Sequence, residues 1–389
     1  MGEKVRLPGR DGAIHDYEVR GEFLYAEGGE PPRTRIPFAA VHVVADPLAD
    51  VSPVSPAAID WERTLAFRRY IWSYGLAVAE AMDTAQRGMG LDWAAAKELI
   101  RRSVAEAKSV GGRIACGAQT DQLAPGSARS LRDIEAAYEE QCGFVEEQGG
   151  QVVIMASREL ARIARGPDDY ARVYDRVLTQ LTRPALIHWL GDVFDPALAG
   201  YWGRADLDGA MAACLDIIVA HQDKVEGLKL SLLDQAREIA MRRQLPAGVH
   251  MFTGDDFDYP TTIGGDGERY SDALLGAFDM IAPAASAALT ALDAGDAKEF
   301  GEILKPTVPL SRHAFGAPTF YYKTGVVFMA YLNGHQDHFR MVGGLESGRS
   351  AVHLGELFVL ADKAGLLRDA DLAVDRLRHV MALAGISGN

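Results

Sequence analysis

The sequence predicts an α/β fold, a (β/α)8 TIM barrel with a C-terminal helical domain and a short N-terminal β-hairpin. Eight apolar runs of strand length alternate with helical stretches, which is the order that produces a parallel sheet. Together these units occupy roughly 260 residues, the usual size of such a barrel. A doubly wound open sheet is the alternative, but the sequence lacks the GxGxxG turn expected after its first strand.

The predicted elements follow one another regularly along the chain. Residues 4–20 form a hairpin that turns at GRDG. The eight strand-like runs are IPFAAVHVVA (36–45), GLAVAEAM (75–82), RIACGAQ (113–119), QVVIMAS (151–157), PALIHWLG (184–191), VEGLKLSL (225–232), GVHMFTGDD (248–256) and FDMIAPAAS (278–286). Helical stretches at 93–111 and 131–149 each end at a glycine, a helix stop signal.

The domain organisation follows from the same order of elements. After the last run, from about residue 288, the chain has helical spacing with Pro and Gly stops. We therefore divide it into a hairpin extension at 1–33, the barrel at 34–287 and a helical domain at 288–389.

Composition narrows the class of protein. Apolar residues make up 48% and charged residues 24% of the 389 residues, as in a globular domain. The net charge of −14 argues against a nucleic-acid partner, which requires a basic surface. The three cysteines are scattered, the N-terminus is too polar for a signal peptide, and no apolar run approaches the length of a membrane span. We expect a soluble, cytoplasmic protein without a membrane partner.

A charged residue interrupts the apolar run VEGLKLSL: Lys229 lies near the carboxyl end of the sixth predicted strand. Active sites of such barrels lie at the carboxyl ends of the strands. A lysine desolvated there has a lowered pKa and supplies a neutral amine, which forms a Schiff base with a carbonyl substrate. The alternative is a lysine that faces the helices and pairs with a carboxylate, and position alone does not separate the two.

The order of elements resembles that of the dihydrodipicolinate synthase and N-acetylneuraminate lyase superfamily, from about residue 34 to 370. The resemblance rests on VEGLKLS, which is similar to the family's lysine strand, on FTGDD at 252–256, and on Pro37 and Phe38 of the first strand. The chain is most similar to a divergent group named dihydrodipicolinate synthase-like. The resemblance implies that Lys229 is the lysine that forms the imine.

Two segments depart from the family pattern. Where the family has Y-N-x-P, with its proton-transferring tyrosine, this chain has His188-Trp189-Leu190-Gly191. His188 is therefore our candidate general acid/base, and a neutral structural histidine is the alternative. Where the family has G-T-T-G-E, the chain has EAMDT at 80–84, which leaves Thr84 as a candidate substrate ligand. Since the paired hydroxyls that hold a keto-acid carboxylate are missing, pyruvate is doubtful as a substrate.

Further candidate substrate-binding residues follow the predicted strands. They are Asp255, Asp256, Arg158, Gln119, Tyr201 and Trp189. Carboxylates and amides bind hydroxyl groups, and an arginine binds an anion or a hydroxyl. Tyr201 and Trp202, between glycines, either cover a ligand or plug the barrel mouth or an interface. The acidic residues, with His42, His188 or Glu80, are the alternative set of ligands for a divalent metal, although no local spacing supports it.

The sequence thus favours a carbon–carbon lyase or aldolase that acts through Lys229 on a polyhydroxylated, sugar-derived carbonyl compound. A dehydratase that uses the same imine is an adjacent possibility. The alternatives are a metal-dependent isomerase or lyase that uses His188 and acidic residues, and a non-catalytic sugar-binding barrel. Imine chemistry needs no cofactor. We expect the C-terminal helices to support a homo-oligomer, a dimer or a tetramer.

Overall fold

The computed structural model describes residues 3–53 and 55–386. Eight parallel strands close into a barrel in chain order, the last pairing with the first. A separate antiparallel hairpin precedes them. The hairpin strands are β1 Lys4–Pro8 and β2 Ile14–Glu18, and the barrel strands are β3 Pro37–Ala40, β4 Ala77–Glu80, β5 Ile114–Ala118, β6 Gln151–Met155, β7 Ala185–Leu190, β8 Val225–Ser231, β9 His250–Thr253 and β10 Asp272–Leu275.

Helices connect the barrel strands, and six more α-helices follow the last strand. The helices are α1 Trp61–Ser73, α2 Trp93–Val110, α3 Leu131–Gln148, α4 Arg158–Ile163, α5 Pro167–Gln180, α6 Leu207–Ala220, α7 Gln235–Arg242, α8 Tyr259–Gly264, α9 Ala277–Asp293, α10 Ala297–Leu304, α11 Thr307–Ala314, α12 Tyr322–Leu332, α13 Ala351–Lys363 and α14 Ala370–Leu383. The predicted barrel, hairpin and C-terminal helices are confirmed. The predicted domain boundary at 287/288 falls inside α9 and stays a prediction.

The prediction of the eighth strand was wrong. Residues 278–286 belong to α9, and the strand is the preceding segment DALL of β10. All four residues of β10 are buried, and so are the first ten residues of the helix that follows it, 277–286. Because a run that is buried on every side shows no periodicity, it does not distinguish a strand from a helix. Pro283 is tolerated because the helix is kinked two residues earlier, at Ile281.

The barrel has two separate apolar layers. Alternate strand residues face the interior, which is filled by Phe38, Ala40, Ala77, Ala79, Ala115, Val153, Met155, Leu186, Phe252 and Leu274. The intervening residues pack against the surrounding helices in one large outer core. The predicted glycine stops are confirmed, because Gly111 and Gly149 cap α2 and α3 with φ of 69° and 88°.

The hairpin is attached to the C-terminal helices. Tyr17 donates its hydroxyl proton to Asp362 of α13 at 2.6 Å, and the backbone N–H groups of Arg20 and Gly21 donate to the same carboxylate. Leu7 packs beside Gly355 of that helix, where an added Cβ would lie 3.4 Å from the leucine side chain. The hairpin therefore packs on α13 and forms one layer with the C-terminal helices.

Candidate active site

Lys229 and His188 lie side by side on the inner surface of the barrel. In the register of β7 and β8, His188 is paired with Lys229, and Lys229 is paired with Phe252 of β9. Strand alternation places His188 on the same face as the interior residue Leu186. Lys229 is 7% exposed and His188 is fully buried. Lys229 therefore faces the barrel interior near the carboxyl end of its strand, as the functional interpretation of the sequence required.

Glycines make the space that the lysine occupies. A Cβ on Gly254, just after β9, would lie 2.1 Å from Ser231 Oγ and 3.1 Å from Lys229 Cε. A Cβ on Gly227 would lie 2.6 Å from the Phe252 ring. Any side chain at either position would displace a neighbour. The spacing of glycine and lysine in VEGLKLS and the glycine of FTGDD thus have a steric reason.

The Lys229 ammonium makes no hydrogen bond to any residue that the structure describes. Burial lowers the pKa of Lys229, because desolvation disfavours the charged form. The negative charges of Asp83, just after β4, and of Asp256, after β9, oppose that shift. The amine is thus buried and unbonded, with carboxylates from two different loops near it.

His188 is held as a neutral imidazole. Burial, and secondly the charge of Lys229, lowers the pKa of His188 well below its usual value. Its Nε2 lies 3.2 Å from Ser231 Oγ, and its Nδ1 is buried without a partner among the described residues. One ring nitrogen therefore has no partner among the described residues, and the role of His188 in proton transfer stays a prediction.

Asp255 and Asp256 lie at the barrel mouth, as predicted. Asp256 Oδ1 accepts a hydrogen bond from Ala277 N at 2.8 Å, and burial raises the pKa of this carboxyl against the effect of Lys229. Asp255 Oδ1 accepts one from Phe257 N at 2.9 Å, while its Oδ2 is buried without a partner in the described chain. Burial also raises the pKa of Asp255. Asp258, by contrast, forms a surface ion pair with Arg312.

Arg158 and Gln119 line a cavity of about 520 Å³ at the same end of the barrel. Thr120 and Gly88 line it too, and Lys229 is not among its lining residues. Gln119 Nε2 donates to Ala156 O at 3.3 Å, and Arg158 Nε donates to Asp195. The structure thus brings these two candidate residues together at one cavity, separate from the residues that surround Lys229.

Thr84 contacts the C-terminal helices. Its Oγ1 lies 2.9 Å from the hydroxyl of Tyr322, the first residue of α12, and both side chains are buried. Phe315 stacks on the Tyr322 ring with 4.3 Å between centroids. This threonine thus joins the end of β4 to the helical region, and its hydroxyl group is hydrogen-bonded to Tyr322.

Trp189 and Tyr201, two of the predicted substrate ligands, lie in the outer core and not in the barrel interior. Trp189 follows the inward-facing His188, so it faces outward and packs on Trp202 with 5.9 Å between ring centroids. The Tyr201 hydroxyl accepts a hydrogen bond from Ser157 N at 3.0 Å and lies 3.2 Å from the Tyr174 hydroxyl. Both rings belong to a buried aromatic cluster, with Trp202, in the outer core.

The proposed metal ligands do not converge. His42 Nδ1 lies 2.8 Å from Asp279 Oδ2, and Glu80 forms a bidentate ion pair with Arg68 at 2.8 and 2.9 Å. Within the described ranges, no three His, Cys, Asp or Glu side chains are grouped so as to hold a metal ion. His42 and Glu80 therefore serve local contacts that the sequence did not indicate.

Two residues of the site were missed from the sequence. Asp83 lies in EAMDT at 80–84, where the family pattern has hydroxyl groups and therefore gives no reason to expect a carboxylate. Lys323 lies on α12, far along the chain, and is 4% exposed. Burial lowers the pKa of Lys323 to about 8, with Asp83 and Asp195 opposing that shift and Arg158 adding to it. No local pattern links Lys323 to the barrel.

One protein-family model matches residues 5–386 of the chain, and its description is "Protein of unknown function (DUF993)". The chain belongs to the DUF993 family. No curated protein matches this DUF993 chain in sequence. Within the described ranges, no helix has both the length and the apolar character that are needed to cross a membrane.

Solved structures share the fold of this DUF993 protein. The prophage protein YagE of E. coli K12, which belongs to the dihydrodipicolinic acid synthase family and was solved with pyruvate, has a TM-score of 0.66 and 12% identity over 85% of this chain and 99% of its own. Dihydrodipicolinate synthase from Aquifex aeolicus has a TM-score of 0.63 and 12% identity over 86% and 99%. Dihydrodipicolinate synthase DapA-2 from Bacillus anthracis has a TM-score of 0.60 and 13% identity over 84% of this chain and 98% of its own. The predicted resemblance is thus confirmed in the fold.

Proposed function

We propose that this DUF993 protein is a carbon–carbon lyase of the class I aldolase type, which forms a Schiff base between Lys229 and a polyhydroxylated carbonyl compound. One observation carries the proposal: a lysine with a lowered pKa and no hydrogen bond to the described residues faces the barrel interior near the carboxyl end of β8. Burying an amine without a partner is unfavourable for folding, so its retention favours a use in chemistry. The likeness to lyase structures supports the fold on which this chemistry depends.

The reaction begins when the neutral amine attacks the carbonyl carbon and a C–N bond forms. The carbonyl oxygen leaves as water, with one proton from the amine and one from an acid. We assign that acid to Asp256, because burial raises its pKa to about 7, which keeps a proton available, and because its carboxyl group and Lys229 are close enough for their charges to act on each other. The product is an iminium ion, which withdraws electrons from the neighbouring carbon–carbon bond.

Bond cleavage then requires a base. We assign it to His188, whose imidazole is neutral and whose Nδ1 has no partner among the described residues. The base takes the proton of the substrate hydroxyl, an aldehyde is released, and the electron pair of the broken bond converts the iminium to an enamine. Protonation at carbon and hydrolysis by water then restore the free lysine. A dehydratase would use the same imine and expel a hydroxyl group instead of an aldehyde.

The charges near the amine indicate which carbonyl compounds fit. Asp83 follows β4, where the resemblance leads one to expect hydroxyl groups, and its carboxylate makes no side-chain hydrogen bond within the described ranges. It would repel a carboxylate attached directly to the reacting carbon. Asp255 Oδ2 and Gln119 remain available to accept or donate hydrogen bonds to hydroxyl groups. A hydroxylated ketone without an adjacent carboxylate suits these groups best.

The test is borohydride trapping with a panel of hydroxylated ketones and 2-keto acids, followed by intact mass and peptide mapping. We expect an adduct on the peptide that contains Lys229, with hydroxylated ketones labelling more strongly than pyruvate. Lys229→Met is the control, since methionine fills a similar volume without an amine. An adduct that persists in this variant, or that maps elsewhere, would contradict the mechanism, as would the absence of any adduct.

A further inference from the structure

The first turn of α12 is inserted into the mouth of the barrel. The Tyr322 hydroxyl contacts Thr84, after β4, and the ring of Phe194, after β7, lies 6.1 Å from the Tyr322 ring. At Gly276, after β10, an added Cβ would lie 3.3 Å from the Tyr322 ring. Three strand ends therefore hold the residue that directly precedes Lys323.

Lys323 is a buried cation with few partners. Its Nζ makes one hydrogen bond to the described residues, to Phe320 O at 3.3 Å, although an ammonium group has three donors. The Phe320 and Tyr322 rings lie 4.9 and 4.6 Å from Nζ. Phe194, whose ring lies beside Tyr322, is followed by Asp195, which binds Arg158, so the loop after β7 brings Lys323 and Arg158 to the same part of the mouth. The charges of Asp83, Arg158 and Asp195 all act on Lys323.

Arg158 also has donors to spare. Its Nε binds Asp195, whereas neither Nη atom has a hydrogen-bond partner among the described residues. The guanidinium lies against Gly88, where an added Cβ would be 2.8 Å from Nη1, and both residues line the 520 Å³ cavity. Glycine thus leaves one face of the guanidinium open toward that cavity.

We propose that Lys323 and Arg158 form a subsite for an anionic group, a carboxylate or a phosphate, carried by the substrate at the end remote from its carbonyl. This inference rests on the proposed function and adds the class of substrate. An anion placed between the two cations removes their mutual repulsion and uses donors that are otherwise idle. Since the chain as a whole carries a net charge of −14, an acidic substrate needs such a local positive site.

The distribution of charge in the mouth agrees with this orientation. Asp83 acts on both lysines, and Asp256 acts on Lys229. With its carbonyl at Lys229, the substrate has its acidic group at Lys323, where the charge of Arg158 offsets that of Asp83. The reverse orientation would bring the acidic group next to both Asp83 and Asp256.

The first arm of the test measures anion binding to protein that cannot form the imine. Calorimetry on Lys229→Met protein uses inorganic phosphate in one series and acetate in another, so that the two anion types are distinguished. We expect at least one of them to bind, with affinity falling roughly tenfold to a hundredfold when Lys323→Met is added, as for loss of a charged hydrogen bond. Lys323→Arg should retain most of the affinity, and Lys305→Met, an exposed lysine paired with Glu302, is the matched control.

The second arm compares matched ketones in borohydride trapping on the wild-type protein. Dihydroxyacetone is paired with its phosphate, and pentan-2-one with 4-oxopentanoate. We expect the anionic member of a pair to label at the lower concentration, and this preference to disappear in Lys323→Met. Equal labelling within both pairs would overturn the subsite while leaving the imine intact. Anion binding that depends on Lys323, without any adduct, would instead overturn the proposed function and keep the subsite.

Discussion

His188 on β7 and Lys229 on β8 are direct neighbours in the barrel register, and both face the interior. Adjacent strands lie about 4.8 Å apart, so a charge on either side chain acts strongly on the other. The charge of Lys229 lowers the pKa of His188, which burial has already lowered. The two side chains therefore carry at most one positive charge together. That charge lies on Lys229 or, after the reaction with the carbonyl, on the iminium.

Asp83 should set the pH at which the amine becomes reactive. Its negative charge favours the protonated form of Lys229, in opposition to burial. Asp83→Asn removes that stabilisation, so the pKa of Lys229 falls further and the neutral amine is present at lower pH. We expect the pH profile of borohydride trapping to move toward acid. Asp258→Asn, at the surface ion pair with Arg312, is the control, and a profile moving toward alkali would contradict the assignment.

The sequence predicted most of the site that lies within one strand and little of what depends on distant segments. Lys229 and His188 were found because a charge in an apolar strand and a departure from a known motif are local signals. The eighth strand was misplaced, because a four-residue strand and the first ten residues of the helix after it are both buried on all sides. Lys323 was missed because its place depends on how α12 packs on the barrel, which no spacing encodes.

The absence of a side chain at Gly254 should be required for the position of the Lys229 side chain. In Gly254→Ala the new Cβ would lie 2.1 Å from Ser231 Oγ and 3.1 Å from Lys229 Cε, so these side chains must move. We expect a loss of about 1–3 kcal/mol in stability and a larger loss in the rate of imine trapping. The control is Gly301→Ala in α10, where an added Cβ meets nothing within 4 Å. That variant should gain about 0.5–1 kcal/mol and keep full trapping.

The Arg68–Glu80 ion pair should be essential for folding. Both side chains are fully buried and joined by two hydrogen bonds of 2.8 and 2.9 Å. Glu80→Ala leaves a buried guanidinium without its counter-charge, and we expect a loss of about 3–5 kcal/mol in urea unfolding. Arg69, the next residue, forms a partly exposed pair with Glu106, so Glu106→Ala should cost about 1 kcal/mol or less. Similar losses for both variants would contradict the argument.

Glu238 should make the folded state less stable as the pH rises. Burial raises the pKa of Glu238 from 4.5 to about 7, although the hydroxyl groups of Thr253 and Ser271 donate to it at 2.8 and 2.7 Å. Between those two pKa values the native chain holds a proton that the unfolded chain has released, so raising the pH favours unfolding. Below pH 4.5 the ionisation of Glu238 does not change the free energy of unfolding. Above pH 7 it lowers the free energy of unfolding by about 3 kcal/mol.

Glu238→Gln removes this penalty, because an amide does not ionise and still accepts a hydrogen bond from one hydroxyl while donating to the other. Relative to wild type, the variant should therefore gain about 3 kcal/mol more stability at pH 8 than at pH 4.5, measured by urea unfolding. Subtracting the difference seen for the exposed Glu302→Gln removes the general effect of the substitution. If the difference in stability between Glu238→Gln and wild type is the same at pH 4.5 and pH 8, the prediction is wrong. Buried Glu238 would then be charged at both pH values, with Arg242 as its counter-charge.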